Sequence, residues 1–179
     1  MRAAVQLAQE VGTGLGQREV LFGPLPQRKG EGRLMRVDFY QLTRDPAELV
    51  LPLIARNTLG AGARLLVVSE DEDQLARIGE QLWGRLPETF LAHGRAGGAH
   101  DARQPILLSD RAEPANGARF VALADGVWRE VAGAERVFLL FPPDRIDDAR
   151  GCWRMLGQRG EAVERKYWRQ DGGKWREGP

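Results

Sequence analysis

Few residues in this sequence have the types and the spacing that catalysis or metal binding requires. The two histidines, His93 and His100, lie in a glycine-rich stretch, and Asp101 follows the second. A histidine pair in such a stretch lacks the helical or cysteine-rich spacing that fixes a zinc ion. We therefore expect no bound metal, and no motif indicates a cofactor.

The single cysteine, Cys152, is the candidate for a covalent nucleophile. It lies in a segment with helical spacing, on or beside the apolar side, and no histidine is near it in the sequence. Such a thiol is typical of a buried packing position rather than of an activated nucleophile. A lone cysteine forms no intrachain disulfide, which fits a reducing compartment and predicts a cytoplasmic protein.

Other chemical motifs are weak or missing. The acidic residues 70–73 could hold Mg²⁺, but the helix dipole favours acids at a helix N-terminus without any metal. The "GTGLG" of residues 12–16 lacks the preceding strand and following helix of a phosphate-binding loop. No Walker loop, G-x-S-x-G elbow or H-E-x-x-H motif is present. These patterns favour a binding protein over an enzyme.

A more specific pattern joins an apolar strand to the helix that follows it. Arg150 and Arg154 are four residues apart, so they project from one face of that helix. Phe141 ends the strand, and the carboxyl ends of strands in an open α/β sheet frame a crevice where ligands bind. Arginine pairs with carboxylates through two parallel hydrogen bonds. The pattern therefore predicts a site for a peptide that ends in an aromatic residue and a free carboxylate.

Aromatic residues also cluster in the stretch "GEQLWGRLPETFLAHGRAGGA", residues 79–99. Trp83, Phe90 and His93 beside glycine and arginine could line a pocket, cover the core or hold a partner. The residue types alone favour the interpretation that Phe90 packs against the core and fixes the loop in place.

Alternating strand-like and helix-like segments position these residues. The predicted strands are residues 37–42, 64–70, 105–109, 119–124, 136–141 and 162–168. The last predicted helix spans residues 144–160, with Gly160 as its C-cap. This alternation predicts a single Rossmann-like, three-layer α/β domain, with a mostly parallel sheet and helices on both faces.

Capping patterns predict where two further helices begin. Asp45 suits an N-cap position with Pro46 in the first turn, and Ser69 with Glu72 forms a capping-box pattern. The apolar residues of the second of these helices recur at helical spacing and should face the sheet: Leu75, Ile78 and Leu82. Trp83 lies about 100° further round this helix, so it need not belong to the core stripe.

The composition is that of one soluble, globular domain with flanking segments. Of 179 residues, 42% are hydrophobic and 28% are charged, and no apolar run approaches the ~18 residues of a membrane span. Residues 1–34 are glycine-rich and aperiodic, which predicts a flexible N-terminal extension or a mis-assigned start. We expect the domain to span residues 35–170 and a C-terminal tail to span residues 171–179.

Charge is uneven along the chain. The formal net charge of +1 predicts no strong general attraction to nucleic acid. Residues 149–179, however, hold 8 Lys/Arg and 4 Asp/Glu. This basic excess would suit an acidic partner, and the alternative is a solvated helix face.

The sequence resembles the chi subunit family of bacterial DNA polymerase III holoenzyme from about Met35 to about Trp168. The motifs that carry the resemblance are "FYQL", "VVSEDEDQLARIGEQLW", "PETFLAHGRAG", "FLLFPP" and "ARGCWRMLGQRG". It implies a non-catalytic subunit that binds the psi subunit of the clamp-loader complex on one side. On another side it implies binding of the acidic C-terminal tail of the single-stranded DNA-binding protein. DNA would then be contacted only indirectly, and no membrane is involved.

The resemblance also implies which residues bind that tail. Its position-by-position matches in this sequence are Trp83, Phe90, Phe141, Arg150 and Arg154. In this interpretation Trp83 and Phe90 wall the site, Phe141 supplies its apolar floor, and Arg150 is the key arginine.

Two other functions remain open at this point. One is a small nucleotide-dependent enzyme, although the junction after the first strand, "QLTRDPAEL", has no glycine with which to cradle a phosphate. The other is direct binding of single-stranded DNA by the arginines together with Trp153, Tyr167 and Trp168.

Overall fold

The computed structural model describes residues 35–171 and 174–178, so the predicted N-terminal extension lies outside the described residues. The strands are β1 (Met35–Gln41), β2 (Leu65–Val68), β3 (His93–Arg95), β4 (Ile106–Ser109), β5 (Phe120–Leu123), β6 (Arg136–Phe141), β7 (Val163–Asp171) and β8 (Lys174–Glu177). The helices are α1 (Ala47–Gly60), α2 (Glu72–Gly84) and α3 (Ile146–Gly157).

In this part of the chain the strands form one sheet in the order β3-β4-β2-β5-β6-β1-β7-β8. Every pair is parallel except β7 with β8, which is antiparallel. The apolar runs of β2 and β6 lie inside the sheet and are buried along their whole length. This confirms the predicted α/β fold with a mostly parallel sheet.

The core has two layers, one on each face of the sheet. On the face that we call the α1/α2 face, Tyr40 and Leu65 pack with the buried sides of the two helices: Val50, Ile54, Leu75, Ile78 and Leu82. On the opposite face, the α3 face, Phe39 and Leu66 pack with Ala149, Cys152 and Leu156. Side chains alternate between these faces along each strand, so neighbouring residues of β1 belong to different layers. None of the described helices has the length and apolarity to cross a membrane.

Two strands were not predicted from the sequence. The edge strand β3 has the sequence "HGR", and β8 has the sequence "KWRE", so neither shows an apolar run. Their strand conformation depends on pairing with β4 and β7 rather than on local propensity. As a result the sheet continues past residue 170, into the segment assigned from the sequence to a tail.

The predicted helix caps differ from those observed. Pro46 is the N-cap of α1 and makes no side-chain cap bond, while the carboxylate of Asp45 accepts a hydrogen bond from Gln170 Nε2 at 2.9 Å. At α2 the cap is Asp71, which accepts from Gln74 N at 3.0 Å. Ser69 instead uses its hydroxyl to accept from Asp71 N at 3.1 Å. Both predictions were wrong because each helix begins later than its capping pattern suggested.

The last helix is shorter than predicted. A short 3-10 turn, Pro143–Arg145, precedes it, and Pro143 occupies the first position of that turn, where no N–H group is needed. At its other end the C-cap is Gln158, and Gly160, with a φ of +66°, lies in the turn that leads to β7. Gly160 is therefore not the C-cap, although it supplies the left-handed conformation that this turn needs.

A charged cluster is buried where β1, β6 and β7 meet. Asp38 has no exposed surface, and Arg36 and Arg136 are almost as buried. One carboxylate oxygen of Asp38 accepts from Arg136 Nε at 2.7 Å, and the other accepts from Arg36 Nη2 at 2.7 Å and from Trp168 Nε1 at 2.8 Å. These bonds connect the three strands on the α1/α2 face. They fix the register that places Phe39 beside Tyr167 on the other face.

Candidate functional site

A cleft with a volume of about 220 Å³ opens on the α3 face, and we call it the α3 cleft. Residues from β1, β6, α3 and β7 line it: Phe39, Phe141, Ile146, Ala149, Arg150, Trp153 and Tyr167. It exists because β6 runs directly into the turn before α3, and β7 lies beyond β1 in the same sheet. Four of its seven lining residues are aromatic and one is cationic. An apolar cavity of roughly 150 Å³ holds a benzene ring, so this cleft has room for an aromatic side chain.

Arg150 is the positive charge of the α3 cleft. Its side chain is 63% exposed, and its Nη1 lies 3.1 Å from a carboxylate oxygen of Asp147, which is itself 88% exposed. An exposed ion pair between residues one helical turn apart contributes little to stability. The guanidinium can therefore exchange this partner for the carboxylate of a ligand at small cost.

Trp153 forms one wall of the cleft and is held from two sides. Its ring packs edge-on against Phe39, with 5.1 Å between the ring centroids. The guanidinium of Arg165 lies 4.7 Å from the centroid of the Trp153 ring, and Arg165 Nη1 donates to the Trp153 carbonyl at 2.6 Å. These contacts hold the Trp153 ring in place.

Tyr167 also lines the cleft. It lies directly across from Phe39 in the parallel pairing of β1 and β7, and its hydroxyl is hydrogen-bonded to the side-chain oxygen of Gln41. Burial raises the pKa of the Tyr167 hydroxyl, and the charges of Arg169 and Arg150 oppose that shift. Arg169 is thus a second cation near the cleft.

Trp83, Phe90 and His93 form a separate surface that we call the aromatic patch. Trp83 is 51% exposed and Phe90 is 72% exposed, and their ring centroids are 5.6 Å apart. The His93 ring packs against Trp83 with 4.9 Å between centroids. Phe90 has a φ of +44°, the one positive value among the described non-glycine residues. A left-handed backbone at such a residue costs of order 1–3 kcal/mol and tends to occur at functional sites.

The five residues that the resemblance groups into one site occupy three places. Phe141 and Arg150 meet in the α3 cleft. Trp83 and Phe90 lie at the β3 edge on the α1/α2 face, and β3 is five strand spacings from β1, or about 24 Å. Arg154 is exposed on α3 and does not line the cleft. Because of the intervening sheet, one ligand side chain cannot touch both Trp83 and Arg150.

Similarity to known proteins identifies the family of this chain. Residues 34–164 match the family described as DNA polymerase III chi subunit, HolC. The chain belongs to this family. It is also similar to the DNA polymerase III subunit chi of Escherichia coli (strain K12), with 36% identity over 56 residues. That stretch is 31% of this chain and spans 38% of the length of the E. coli protein.

Several residues of the α3 cleft were missed by the sequence analysis. Trp153 lies three residues after Arg150, so its helical spacing could have placed it beside the arginine. Tyr167 shares its face of β7 with Arg165 and Arg169, but only the pairing of β7 with β1 brings it to the cleft. It also lies beyond the stretch that matches the chi family.

The turn between β1 and α1 has a geometry that disfavours phosphate binding. The backbone N–H groups of Thr43, Arg44 and Asp45 all donate to one oxygen, Gln170 Oε1, at 3.3, 3.1 and 3.1 Å. In a nucleotide-binding fold such N–H groups would cradle the phosphate. A cavity of about 370 Å³ does open here, but its lining holds three acidic residues, Asp45, Glu48 and Asp125, against one basic residue, Arg44, so its charge does not favour an anion.

Cys152 and His93 have structural surroundings in this chi family member. Burial raises the pKa of the Cys152 thiol to about 12, and the nearby Glu130 adds to the shift, so the nucleophilic thiolate is strongly disfavoured. The Nδ1 atom of His93 lies 2.9 Å from the Leu91 carbonyl, to which it donates. Within residues 35–171 and 174–178, no three side chains of the metal-binding types converge.

Proposed function

We propose that this chain is a non-catalytic accessory subunit of bacterial DNA polymerase III holoenzyme that acts in the cytoplasm during DNA replication. In this role it binds the C-terminal tail of the single-stranded DNA-binding protein through the α3 cleft. The psi subunit of the clamp-loader complex binds through the aromatic patch. The observation that carries the proposal is the α3 cleft, in which an aromatic-lined cavity adjoins the exposed cation of Arg150.

The α3 cleft has the chemistry that recognises a C-terminal aromatic residue. A guanidinium can form two charge-assisted hydrogen bonds to a terminal carboxylate, and a peptide cannot offer such a group anywhere else along its backbone. The adjoining rings can bury the last side chain. Further basic side chains at the same face, including Arg154 and Arg169, would attract an acidic segment before that residue.

The aromatic patch supplies a second, independent surface for a protein partner. Exposed tryptophan and phenylalanine side chains in contact with each other are typical anchors of protein interfaces. The patch lies at the opposite end of the sheet from the cleft. Two partners could therefore bind at once, which is what a subunit that joins the clamp-loader complex to coated single-stranded DNA must allow.

The structure gives less support to the two alternative functions. In the β1–α1 turn, Gln170 already accepts the hydrogen bonds that a phosphate would need, which disfavours a nucleotide-dependent enzyme. Trp168 is buried, stacks on Tyr40 and faces away from Trp153 and Tyr167. These three aromatic residues therefore cannot form the continuous stacking surface that a single-stranded DNA site requires.

The proposed function is tested with the intact chain and two fluorescent peptides. Both carry the last residues of the organism's single-stranded DNA-binding protein, and one has its terminal carboxylate converted to an amide. We expect the free acid to bind and the amide to bind at least ~10-fold more weakly, because a charge-assisted pair is lost. Equal affinity for the two peptides, or no binding to either, would contradict the assignment of the cleft.

The separation of the two surfaces predicts a selective effect of Trp83→Ala. This variant should lose at least ~10-fold in affinity for the psi subunit, since an aromatic anchor that a partner buries is worth roughly 2 kcal/mol or more. Its affinity for the tail peptide should stay within about twofold of the wild type. Both affinities are measured by calorimetry.

Met155→Ala is the matched control for Trp83→Ala, because Met155 is also a large apolar residue at the surface, and it is 36% exposed. It lies on α3 and outside both surfaces, so it should change neither affinity. If Trp83→Ala weakens tail binding as much as psi binding, the two surfaces are not independent and the proposed division of roles is wrong.

A further inference from the structure

Tyr167 has a special position among the walls of the α3 cleft. The other lining residues belong to the stretch that matches the chi family, residues 34–164, whereas Tyr167 comes from the part of β7 beyond it. Phe39 and Phe141 are almost completely buried, so only small parts of their rings can form the floor of the cleft. Trp153 and Tyr167 are both partly exposed. They are therefore the two rings of the cleft that offer exposed surface to an incoming side chain.

The orientation of the Tyr167 ring is fixed by its neighbours. Its hydroxyl is hydrogen-bonded to Gln41 on one side. On the other side, the backbone of Gly178 passes so close that a Cβ atom built there would lie 2.3 Å from a ring carbon of Tyr167. Gly178 N also donates to the Tyr167 carbonyl at 2.8 Å. A wall that is fixed before binding discriminates ligand shapes better than one that adapts to each ligand.

From these contacts we propose that Tyr167 sets the selectivity of the α3 cleft, so that it favours a peptide with a planar aromatic C-terminal side chain over one with an aliphatic side chain. The proposal rests on the proposed function, since it names a specificity residue of the same cleft. Trp153 and Tyr167 both line a cleft with room for one aromatic ring, and aromatic rings attract each other beyond the effect of buried area. Arg150 recognises the terminal carboxylate of any peptide, so it does not by itself distinguish these side chains.

The experiment compares two peptides that differ only in their last residue, phenylalanine or leucine, and that both keep a free carboxylate. The measured quantity is the ratio of their dissociation constants for the intact chain. We expect the wild type to prefer phenylalanine by about 3- to 10-fold, the range that aromatic pair interactions provide. Tyr167→Leu should reduce this ratio to near one. Tyr167→Phe keeps the ring and should retain the preference, although it loses the bond to Gln41.

A second variant tests the same wall without changing its side chain. Gly178→Ala adds a methyl group where the Tyr167 ring now lies, so the ring must move. This variant should also lower the preference for phenylalanine, and it keeps the test decisive if Tyr167→Leu does not fold.

The possible results separate this proposal from the proposed function. If Arg150→Ala weakens both peptides while Tyr167→Leu and Gly178→Ala leave the ratio unchanged, the cleft is correct and the role of Tyr167 is refuted. If the wild type binds neither peptide, both proposals are refuted. If the ratio of dissociation constants falls as far in Tyr167→Phe as in Tyr167→Leu, the role of the ring is also refuted, because the selectivity would then depend on the hydroxyl.

Discussion

Replacement of Arg150 by alanine should weaken binding of the tail peptide by at least ~10-fold. Removal of one partner from a charge pair in a desolvated interface costs roughly 2–5 kcal/mol, and 1.4 kcal/mol is a factor of ten. Arg150 lies beside the aromatic residues of the cleft, so a bound peptide would partly shield the pair of guanidinium and terminal carboxylate from water. The loss should appear in fluorescence anisotropy with the labelled peptide. Circular dichroism should show an unchanged fold, because the Arg150 side chain is mostly exposed.

Arg154→Ala provides the matched control for this experiment. Arg154 has the same charge on the same helix, one turn further on, but it does not line the cleft. Its removal should weaken binding by a small factor that disappears as salt is raised, because only long-range attraction is lost. The loss in Arg150→Ala should persist at high salt. Equal effects of the two variants would show that general positive charge, rather than a specific pair, holds the tail.

A double-mutant cycle identifies the partner of Arg150. Free-acid and amidated peptides are each measured with the wild type and with Arg150→Ala. If Arg150 contacts the terminal carboxylate, amidation should weaken binding to the wild type but have almost no further effect on Arg150→Ala. Additive losses from the two changes would place the carboxylate elsewhere. Arg150→Lys keeps the charge but loses the two-pronged geometry, so its affinity should fall between those of the wild type and Arg150→Ala.

The sequence predicted those parts of the fold that depend on local pattern. The apolar runs of β2 and β6 identified buried strands, because few other structures bury four or more consecutive apolar residues. The spacing of Leu75, Ile78 and Leu82 placed them correctly in the core, and Trp83 outside it. In contrast, β3 and β8 have no such pattern and depend on their neighbours in the sheet.

The candidate site was predictable to the same extent and for the same reason. Phe141 and Arg150 were expected together because β6 leads directly into α3, so their proximity is local in sequence. Tyr167 was not expected, since its place depends on the insertion of β1 between β6 and β7. The resemblance grouped Trp83 and Phe90 with Phe141 and Arg150, whereas in the fold these two residues lie at the β3 edge of the sheet.

The largest effect on stability should come from Asp38, the buried carboxylate that joins β1, β6 and β7. Asp38→Ala should lower the free energy of unfolding by about 3–5 kcal/mol, because it leaves two buried guanidinium groups without this carboxylate. Arg36, Arg136 and Trp168 would all lose a hydrogen bond. The change is measured by urea unfolding, from the midpoint and the slope of the transition.

Two further variants show whether the charge of Asp38 is what matters. Asp38→Asn keeps the size of the side chain and an oxygen that can accept from Trp168, but it carries no charge. It should therefore lose most of the same stability. Asp148→Ala removes an exposed carboxylate that pairs with Arg145 at 3.2 Å, and it should change the free energy of unfolding by no more than about 0.5 kcal/mol.

The Asp38 variants also connect the buried cluster to the cleft on the other face of the sheet. The cluster holds β7 in register with β1, and this register places Tyr167 opposite Phe39. A folded Asp38→Asn should therefore bind the tail peptide with a reduced preference for phenylalanine over leucine, although Asp38 itself lies on the opposite face. If Asp38→Asn were as stable as the wild type, packing rather than charge would hold the three strands together. The register of β7 would then have to be maintained by the backbone ladder alone.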